Sequence, residues 1–333
     1  MLNVHITGTG SATPQRILNN QDLERIVDTS NEWILRRTGI QERRISSKNR
    51  KESTTDLGTQ AAMAAMQMAG VTADQIDLII VATVTGDRQF PAVGCLIQKE
   101  INACNAVAYD ISAGCSGFIF GLELANNAIH ANSATKALVI GSERLSSVVD
   151  WKDRSTCVLL GDGAGAAVLE GRPEAGGILT SHIKSDGSYW DLLFAKEGKI
   201  YQPEGLKDTA AIPFHLKMEG NRLFKQAVGC MANITDTALA QINLTRDDIH
   251  LIIPHQANLR ILQAVADKLR LPMDIMFTNL QKYGNTSSAS IPLAMDEACR
   301  QGRMHKGDNI LLISFGAGLT WGATIIRWGI EHQ

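Results

Sequence analysis

Three residues of the chain combine a reactive type with a suggestive setting: Cys115, His255 and Asn285. Cys115 lies in Ala108-Tyr-Asp-Ile-Ser-Ala-Gly-Cys-Ser-Gly-Phe118. Residues 106–111 read as a buried strand, while Phe118, Leu122 and Ala125 recur at helical spacing, which puts the thiol at or near a helix N-terminus. Unpaired backbone N–H groups and the positive end of the helix dipole favour an anion there, so the thiol pKa is expected below its free value of about 8.5. The small neighbours Ala113, Gly114, Ser116 and Gly117 would let a substrate carbonyl come close. A lone free cysteine is more often a core residue, and only partners make it read as a nucleophile.

Those partners come from an internal repeat. Thr72-Ala-Asp-Gln-Ile-Asp-Leu-Ile-Ile80 matches Thr245-Arg-Asp-Asp-Ile-His-Leu-Ile-Ile253, and Ala137-Leu-Val-Ile-Gly141 overlays Ile310-Leu-Leu-Ile-Ser314, both at an offset of 173 residues. Two separate segments sharing one offset indicate a duplication, with halves 1–173 and 174–333 meeting near residues 170–176. Each half reads as strands alternating with helices, the pattern of an α/β chain with a mixed, mostly parallel sheet covered by helices. The offset carries Cys115 to Ser288, three residues past Asn285, so residues 283–292 are expected at the start of the equivalent helix. His255 falls at the exit of the strand equivalent to residues 78–82. All three residues thus lie where strands end and helices begin, the side of an open α/β sheet on which ligands bind.

Cysteine, histidine and asparagine can serve two reactions. In a hydrolase the imidazole deprotonates the thiol and the asparagine orients the ring. In carbon–carbon bond formation the thiol accepts an acyl group, while histidine and asparagine donate hydrogen bonds to a second thioester carbonyl that gains charge during decarboxylation. Spacing leaves both open, although a duplicated α/β chain with its cysteine on a buried central helix is unlike a papain-type protease.

Composition narrows the classes. A chain of 333 residues with 44% apolar content can bury a large core, and a net charge of -2 gives no reason to expect nucleic acid or an anionic membrane as partner. The first residues lack a basic flank and a long apolar run, and no later run approaches a membrane span, so the cytoplasm is the expected compartment. Cysteines 95, 104, 115, 157, 230 and 299 form no C-x-x-C pair and read as reduced, without a zinc site.

Other segments offer weaker signals. Residues 2–7 read as a strand leading into Gly8-Thr-Gly10-Ser-Ala-Thr13-Pro14, whose glycines resemble a dinucleotide loop but lack the helix such a loop needs. Asn20 can cap a helix over 21–27; further helices are expected over 31–39 and 54–69. Arg36, Arg37, Arg43, Arg44, Lys48, Arg50 and Lys51 accumulate beside Trp33, which looks exposed; they form either a solvated face or a site for a phosphate-rich ligand with a ring to stack on. Gly161-Asp-Gly-Ala-Gly165 runs into a strand and reads as a tight turn rather than a phosphate loop. Residues 185–220, the least repetitive part, read as a cap over a substrate passage or as a plain surface excursion.

The motifs Thr38-Gly-Ile-Gln-Glu-Arg-Arg44, Gly114-Cys-Ser-Gly-Phe118, Asp153-Arg-Ser-Thr156, Gly161-Asp-Gly-Ala-Gly-Ala166, Pro254-His-Gln-Ala-Asn258, Gly284-Asn-Thr-Ser-Ser288 and Phe315-Gly-Ala-Gly-Leu-Thr-Trp-Gly322 follow in one order. With them the chain resembles, along its whole length, the β-ketoacyl-[acyl-carrier-protein] synthase III family of the thiolase superfamily. The resemblance implies a thiolase-like five-layer αβαβα fold, a homodimer, and the first condensation of type II fatty acid synthesis, joining an acyl-CoA primer to malonyl-acyl-carrier protein without metal or cofactor. It implies that Cys115 takes the acyl group, with its own N–H and that of Ala317 as oxyanion hole, and that His255 and Asn285 promote malonyl decarboxylation. It further implies coenzyme A contacts at Trp33, Arg37, Arg154, Asn221 and Asn258, an acyl pocket at Phe90, Leu160 and Leu319 with Phe90 lent across the dimer, and carrier-protein contacts at Lys225 and Arg260. Leu160 and Leu319 stand where phenylalanine is frequent in the family, which puts an acetyl-only primer preference in doubt. The family's starter synthases in secondary metabolism form a same-fold alternative. Ala317 and its neighbours offer no second catalytic cysteine of the kind thiolases use late in the chain, and Asn285 replaces the second histidine of chain-elongating synthases.

Overall fold

The computed structural model describes residues 2–47, 50–195 and 215–331. In chain order, β1 (Asn3–Ala12) is followed by a small antiparallel ribbon of β2 (Ile17–Asn19) and β3 (Glu42–Arg44), then by β4 (Leu78–Ala82), β5 (Val107–Ile111), β6 (Lys136–Arg144) and β7 (Asp162–Arg172). The second series is β8 (Gly177–Ser185), the ribbon of β9 (Leu193–Ala195) and β10 (Leu216–Met218), then β11 (Leu251–Pro254), β12 (Asn309–Gly316) and β13 (Thr320–Arg327). Two large sheets result, ordered β1-β7-β6-β4-β5 and β11-β12-β13-β8.

The apolar strands have two buried faces, and alternation decides which residue serves which layer. Leu78, Ile80, Ala137 and Val139 of the first sheet meet Leu251, Ile253, Ile310 and Leu312 of the second around the helices Gly117–His130 and Ser290–Arg300. The intervening Ile79, Val81, Leu138 and Ile140 face outward, onto Thr54–Ala69 and Val93–Ile101. Ile252, Leu311 and Ile313 do the same against Gly220–Gln241 and Leu259–Leu269. The order from one side to the other is therefore helix, sheet, helix pair, sheet, helix.

The repeat is visible as register. In the first sheet Leu78 pairs parallel with Ala137, and in the second Leu251 pairs parallel with Ile310, each residue 173 positions beyond its counterpart. The single turns Gly114–Ser116 and Ser287–Ala289, and the helices they lead into, begin at the same offset. Beyond β6 and β12 the offset shortens: Ile140 faces Ala166 while Ile313 faces Ala323, so residues 145–161 make a longer return than 317–319.

Several local expectations are corrected. The sheets are mixed rather than mostly parallel: β4–β5, β4–β6 and β11–β12 pair parallel, whereas β1–β7, β6–β7, β12–β13 and β8–β13 pair antiparallel. A return as short as 317–319 cannot cross over a sheet and closes a hairpin instead. β1 runs through the glycine motif to Ala12, because a Cβ on Gly8 or Gly10 would lie 2.3 Å from a carbonyl oxygen of the helix Thr54–Ala69; those glycines let helix and strand touch. The glycines at 163 and 165 likewise lie inside β7 rather than in a turn, Gly165 against the backbone of Leu293. Asn19, not Asn20, caps the first helix, Asn20–Glu24, in a capping box with Asp22. The buried Asn20 side chain instead donates to the Ile40 carbonyl at 2.8 Å.

Candidate active site

Cys115, His255 and Asn285 line one cavity of about 240 Å³ whose walls are otherwise mainly apolar. Cys115 occupies the single turn Gly114–Ser116, between the exit of β5 and the central helix Gly117–His130. The turn is pinned from the other half: Ser116 Oγ donates to the Thr320 carbonyl at 3.0 Å, and Thr320 Oγ1 donates to the Ala113 carbonyl at 2.8 Å. His255 follows β11, its N–H donating to the Ile313 carbonyl at 2.8 Å. Asn285 is held between Leu159 and Gly161 by backbone bonds of 2.8 and 3.0 Å. Its Oδ1 accepts from the Ser287 N–H at 2.8 Å, which leaves the amide NH2 as the group available for donation.

The electrostatics correct the expected thiolate. Although Cys115 keeps one partly exposed face toward the cavity, burial pushes its thiol up to about 11, and the Glu143 carboxylate adds to the rise. The Ser287 side chain and the backbone N–H groups of Cys115 and Ala317 favour the thiolate and oppose the rise without winning. A helix start in the middle of five layers is desolvated more than its dipole can offset. Burial also holds His255 down to about 4, so the imidazole is neutral at pH 7 and offers one N–H donor; its Nδ1 has no partner among the described residues.

The return of residues 145–161 builds one wall of the cavity through Leu145, Val148, Thr156, Leu159 and Leu160. The ribbon of β9 and β10 builds another through Leu193, Phe194, Leu216 and Met218, so the described part of segment 185–220 borders the cavity; residues 196–214 lie outside the described residues. Leu160 lines the cavity, but Leu319 packs in the core behind the second sheet and is not on the wall. Phe90 is 82% exposed and away from the cavity lining.

Trp33 is half-buried, with the Arg154 guanidinium 4.9 Å and that of Arg37 5.7 Å from its ring centre; the truly exposed tryptophan is Trp190. Arg43 leaves the basic cluster altogether: it is fully buried, donating to the Leu18 and Val158 carbonyls and to Asn20 Oδ1. Arg44 pairs with Glu42 at 2.8 Å, and Lys48 lies outside the described residues. Asn258 borders the cavity while capping the helix Leu259–Leu269, and Asn221 is exposed one residue beyond the cavity-lining Gly220. Lys225 and Arg260 are exposed on the neighbouring helices Gly220–Gln241 and Leu259–Leu269. Two buried residues escape sequence reasoning: Glu143, near the end of an apolar strand and off the cavity wall, and Ser287, which lines the cavity and is the positional equivalent of Gly114. The offset itself could have flagged Ser287. Among the described residues no group of three or more His, Cys, Asp or Glu side chains could hold a metal ion, and no helix is long and apolar enough to cross a membrane.

Two sheets enclosing paired central helices, with a cysteine at the head of one and a histidine and an asparagine reaching it from the other half, define a condensing enzyme of the thiolase class. The family models for the 3-oxoacyl-[acyl-carrier-protein] synthase III and for its C-terminal part match residues 109–187 and 239–328. A β-ketoacyl-[acyl-carrier-protein] synthase III of Caldanaerobacter subterraneus subsp. tengcongensis is 48% identical over 324 residues, 97% of each chain. The crystal structure of the Aquifex aeolicus 3-oxoacyl-[acyl-carrier-protein] synthase III superposes with a TM-score of 0.91 at 44% identity, covering 98% of this chain and 100% of that one. The priming β-ketosynthase of the R1128 polyketide pathway superposes with a TM-score of 0.93 at 34% identity, covering 99% and 98%. The chain belongs to the β-ketoacyl-[acyl-carrier-protein] synthase III family.

Proposed function

We propose that the chain catalyses the decarboxylating condensation that starts type II fatty acid synthesis, using an acyl-CoA primer and malonyl-acyl-carrier protein. The observation that carries this reading is the meeting of Cys115, His255 and Asn285 on one mainly apolar cavity. The Cys115 sulfur attacks the primer thioester, the thiol's proton leaves with coenzyme A, and an acyl-cysteine remains. The N–H groups of Cys115 and Ala317, which favour the thiolate, hold the carbonyl oxygen as it gains charge. The neutral His255 and the Asn285 amide then donate to the malonyl thioester carbonyl. Carbon dioxide departs, the electron pair it leaves attacks the acyl carbon, and the carbon–sulfur bond breaks to release the cysteine thiolate, which takes a proton from water to return to the thiol.

Trp33, Arg37 and Arg154 would take the nucleotide end of coenzyme A, with Asn221 and Asn258 along its arm; the guanidiniums clustered on the Trp33 ring support this. Leu160 would set the acyl pocket, with Leu319 supporting it from behind, and Lys225 and Arg260 would meet the acidic carrier protein. A second copy would cover the outer edge of β5, where Val107 is 64% and nearby Phe90 82% exposed, because an open edge strand invites pairing. The two units correspond to residues 1–173 and 174–333, the enzyme works in the cytoplasm, and acyl-CoA is a substrate rather than a cofactor.

Intact-mass measurement after mixing with acetyl-, butyryl- and octanoyl-CoA tests the reading. An adduct that disappears in Cys115→Ala, and that His255→Ala and Asn285→Ala still form but cannot pass to malonyl-carrier protein, is the expected result. Rapid release of free acid without malonyl-carrier protein would instead indicate a thioesterase. The fold likeness to the R1128 priming enzyme favours a second reading, starter loading in secondary metabolism, which a preference for non-fatty starters in the same series would reveal.

A further inference from the structure

Glu143, the penultimate residue of β6, is fully buried and forms no ion pair with lysine or arginine among the described residues. Its two oxygens have different neighbours. Toward Oε2 come three donors from the exit of β4: the Val84 N–H at 3.2 Å, Thr83 Oγ1 at 3.3 Å and Thr85 Oγ1. Both threonine protons are free for this, because each hydroxyl oxygen already accepts from a backbone N–H, Thr83 from Thr85 at 3.2 Å and Thr85 from Arg144 at 2.8 Å. Toward Oε1, besides the Val84 N–H at 3.3 Å, lies Ser288 Oγ at 2.8 Å, and that hydroxyl is also 2.8 Å from the Ala82 carbonyl. A serine hydroxyl has one proton to give, and a carbonyl has none. Both contacts of Ser288 are hydrogen bonds only if the carboxyl supplies a second proton; with a carboxylate, one of them sets lone pair against lone pair. An un-ionised acid also avoids an uncompensated buried charge, and burial pushes the Glu143 carboxyl in that direction over the opposing pull of its donors. The titratable side chain coupled to it is the Cys115 thiol; β7 presents Gly163, and the β4 exit and the turn Ser287–Ala289 present hydroxyls and N–H groups. The carboxylate that weighs on Cys115 belongs to the alkaline range in which that thiol titrates, about 11.

The acid joins two walls of the site. Val84 lines the cavity, and Ser288, 173 residues beyond Cys115, sits in the turn whose Ser287 N–H donates to Asn285 Oδ1 at 2.8 Å. We propose that Glu143 is an un-ionised carboxylic acid in the folded enzyme at neutral pH, donating to Ser288 and accepting from the β4 exit, and that it is a positioning residue for Asn285. This rests on the reading of Asn285 as a donor to the malonyl thioester. With Ser288 tied to both Ala82 and Glu143, the turn keeps Asn285 Oδ1 occupied and leaves its NH2 to donate, and the tie adds no negative charge beside a carbonyl that must gain one.

Infrared difference spectroscopy on protein with isotope-labelled glutamate carboxyls tests the protonation at neutral pD with no substrate present. Wild type should show the carbonyl stretch of an un-ionised glutamic acid, and Glu143→Gln should lose it. Ser288→Ala, which removes the acceptor of the acid proton, should shift or remove the band. A wild-type spectrum without the band, or a band unchanged in Glu143→Gln, overturns the proposal; if that variant does not fold, a band unchanged in Ser288→Ala does so. Positioning is read by intact mass with the same acyl-CoA series. Glu143→Leu should acylate Cys115 as wild type does but pass the acyl group to malonyl-carrier protein roughly 100-fold more slowly, the scale of a misplacement on the order of 1 Å. Glu143→Gln, whose amide keeps a donor and an acceptor in place, should restore most of that rate. Ser288→Ala should show the same split between the two steps, which decides the matter if Glu143→Leu does not fold. A purely structural role would slow both steps together, so equal losses, or no rescue by glutamine, overturn the positioning role. The infrared band needs no acyl donor, so a protein that shows it yet takes no acyl-CoA would sink the functional reading and leave the protonated Glu143 standing.

Discussion

Gly316 ends β12 directly against the nucleophile, and a single methyl there should separate catalysis from folding. A Cβ on Gly316 would lie 2.5 Å from the Cys115 nitrogen, 3.0 Å from its Cβ and 3.1 Å from its Cα. Ordinary contact begins at 3.4 Å, so in Gly316→Ala the backbones must part by ~0.9 Å, and the atoms in the way are backbone rather than a flexible side chain. Overpacking of this kind costs about 1–3 kcal/mol. The same displacement carries the sulfur away from the N–H of Ala317, the next residue, and misplacement on the order of 1 Å lowers rates roughly 100-fold. The assay is acylation by acyl-CoA followed by intact mass, beside a urea titration. Gly229→Ala is the control: nothing lies within 4 Å of its Cβ position in the helix Gly220–Gln241, so it should gain up to about 1 kcal/mol and acylate normally. A Gly316→Ala enzyme that folds and acylates at the wild-type rate would refute the idea that this backbone contact positions the thiol.

Two further outcomes follow from burial. The folded protein holds His255 at about 4 against an unfolded value near 6.5, so between those pH values the unfolded chain takes a proton that the folded one refuses. Stability from this group is complete above about pH 6.5 and is lost as pH falls to about 4, up to about 3 kcal/mol in all. His255→Gln should therefore lose about that much less than wild type between pH 7 and 4 in urea titrations, and equal losses would contradict the assignment. Leu160→Phe, on the cavity wall, should shift the primer preference toward shorter acyl groups, whereas Leu319→Phe should lower stability by about 1–3 kcal/mol and leave the preference alone. Competition between acetyl- and octanoyl-CoA reads the difference.

The frame was legible because its signals are local or repeated. Gly39 stops the helix Asn31–Thr38, and one offset located the turn opposite Cys115 along with the strand exit that bears His255. What escaped is depth. A thiol at a helix start reads as acidic until the layers around it are counted, and Arg43 reads as one more surface charge until its carbonyl partners appear. Glu143 was hidden at the end of a strand read only for its apolar pattern, and Leu160 and Leu319, alike in sequence logic, fall on the wall and behind it. Adjacent asparagines hid the cap, since Asn19 and Asn20 are equally suited by type and only geometry assigns the work.

The longer return at residues 145–161 breaks the symmetry of the repeat, and that break separates substrate range from chemistry. The paired central helices, their turns and the strand exits are shared by both units and anchor the reacting groups, so changes there disturb chemistry. The excursion between β6 and β7 contributes Leu145, Val148, Thr156, Leu159 and Leu160 to the cavity but no part of the repeated register. Substrate range can therefore be altered by exchanging one contiguous loop while the paired central helices and their turns stay intact.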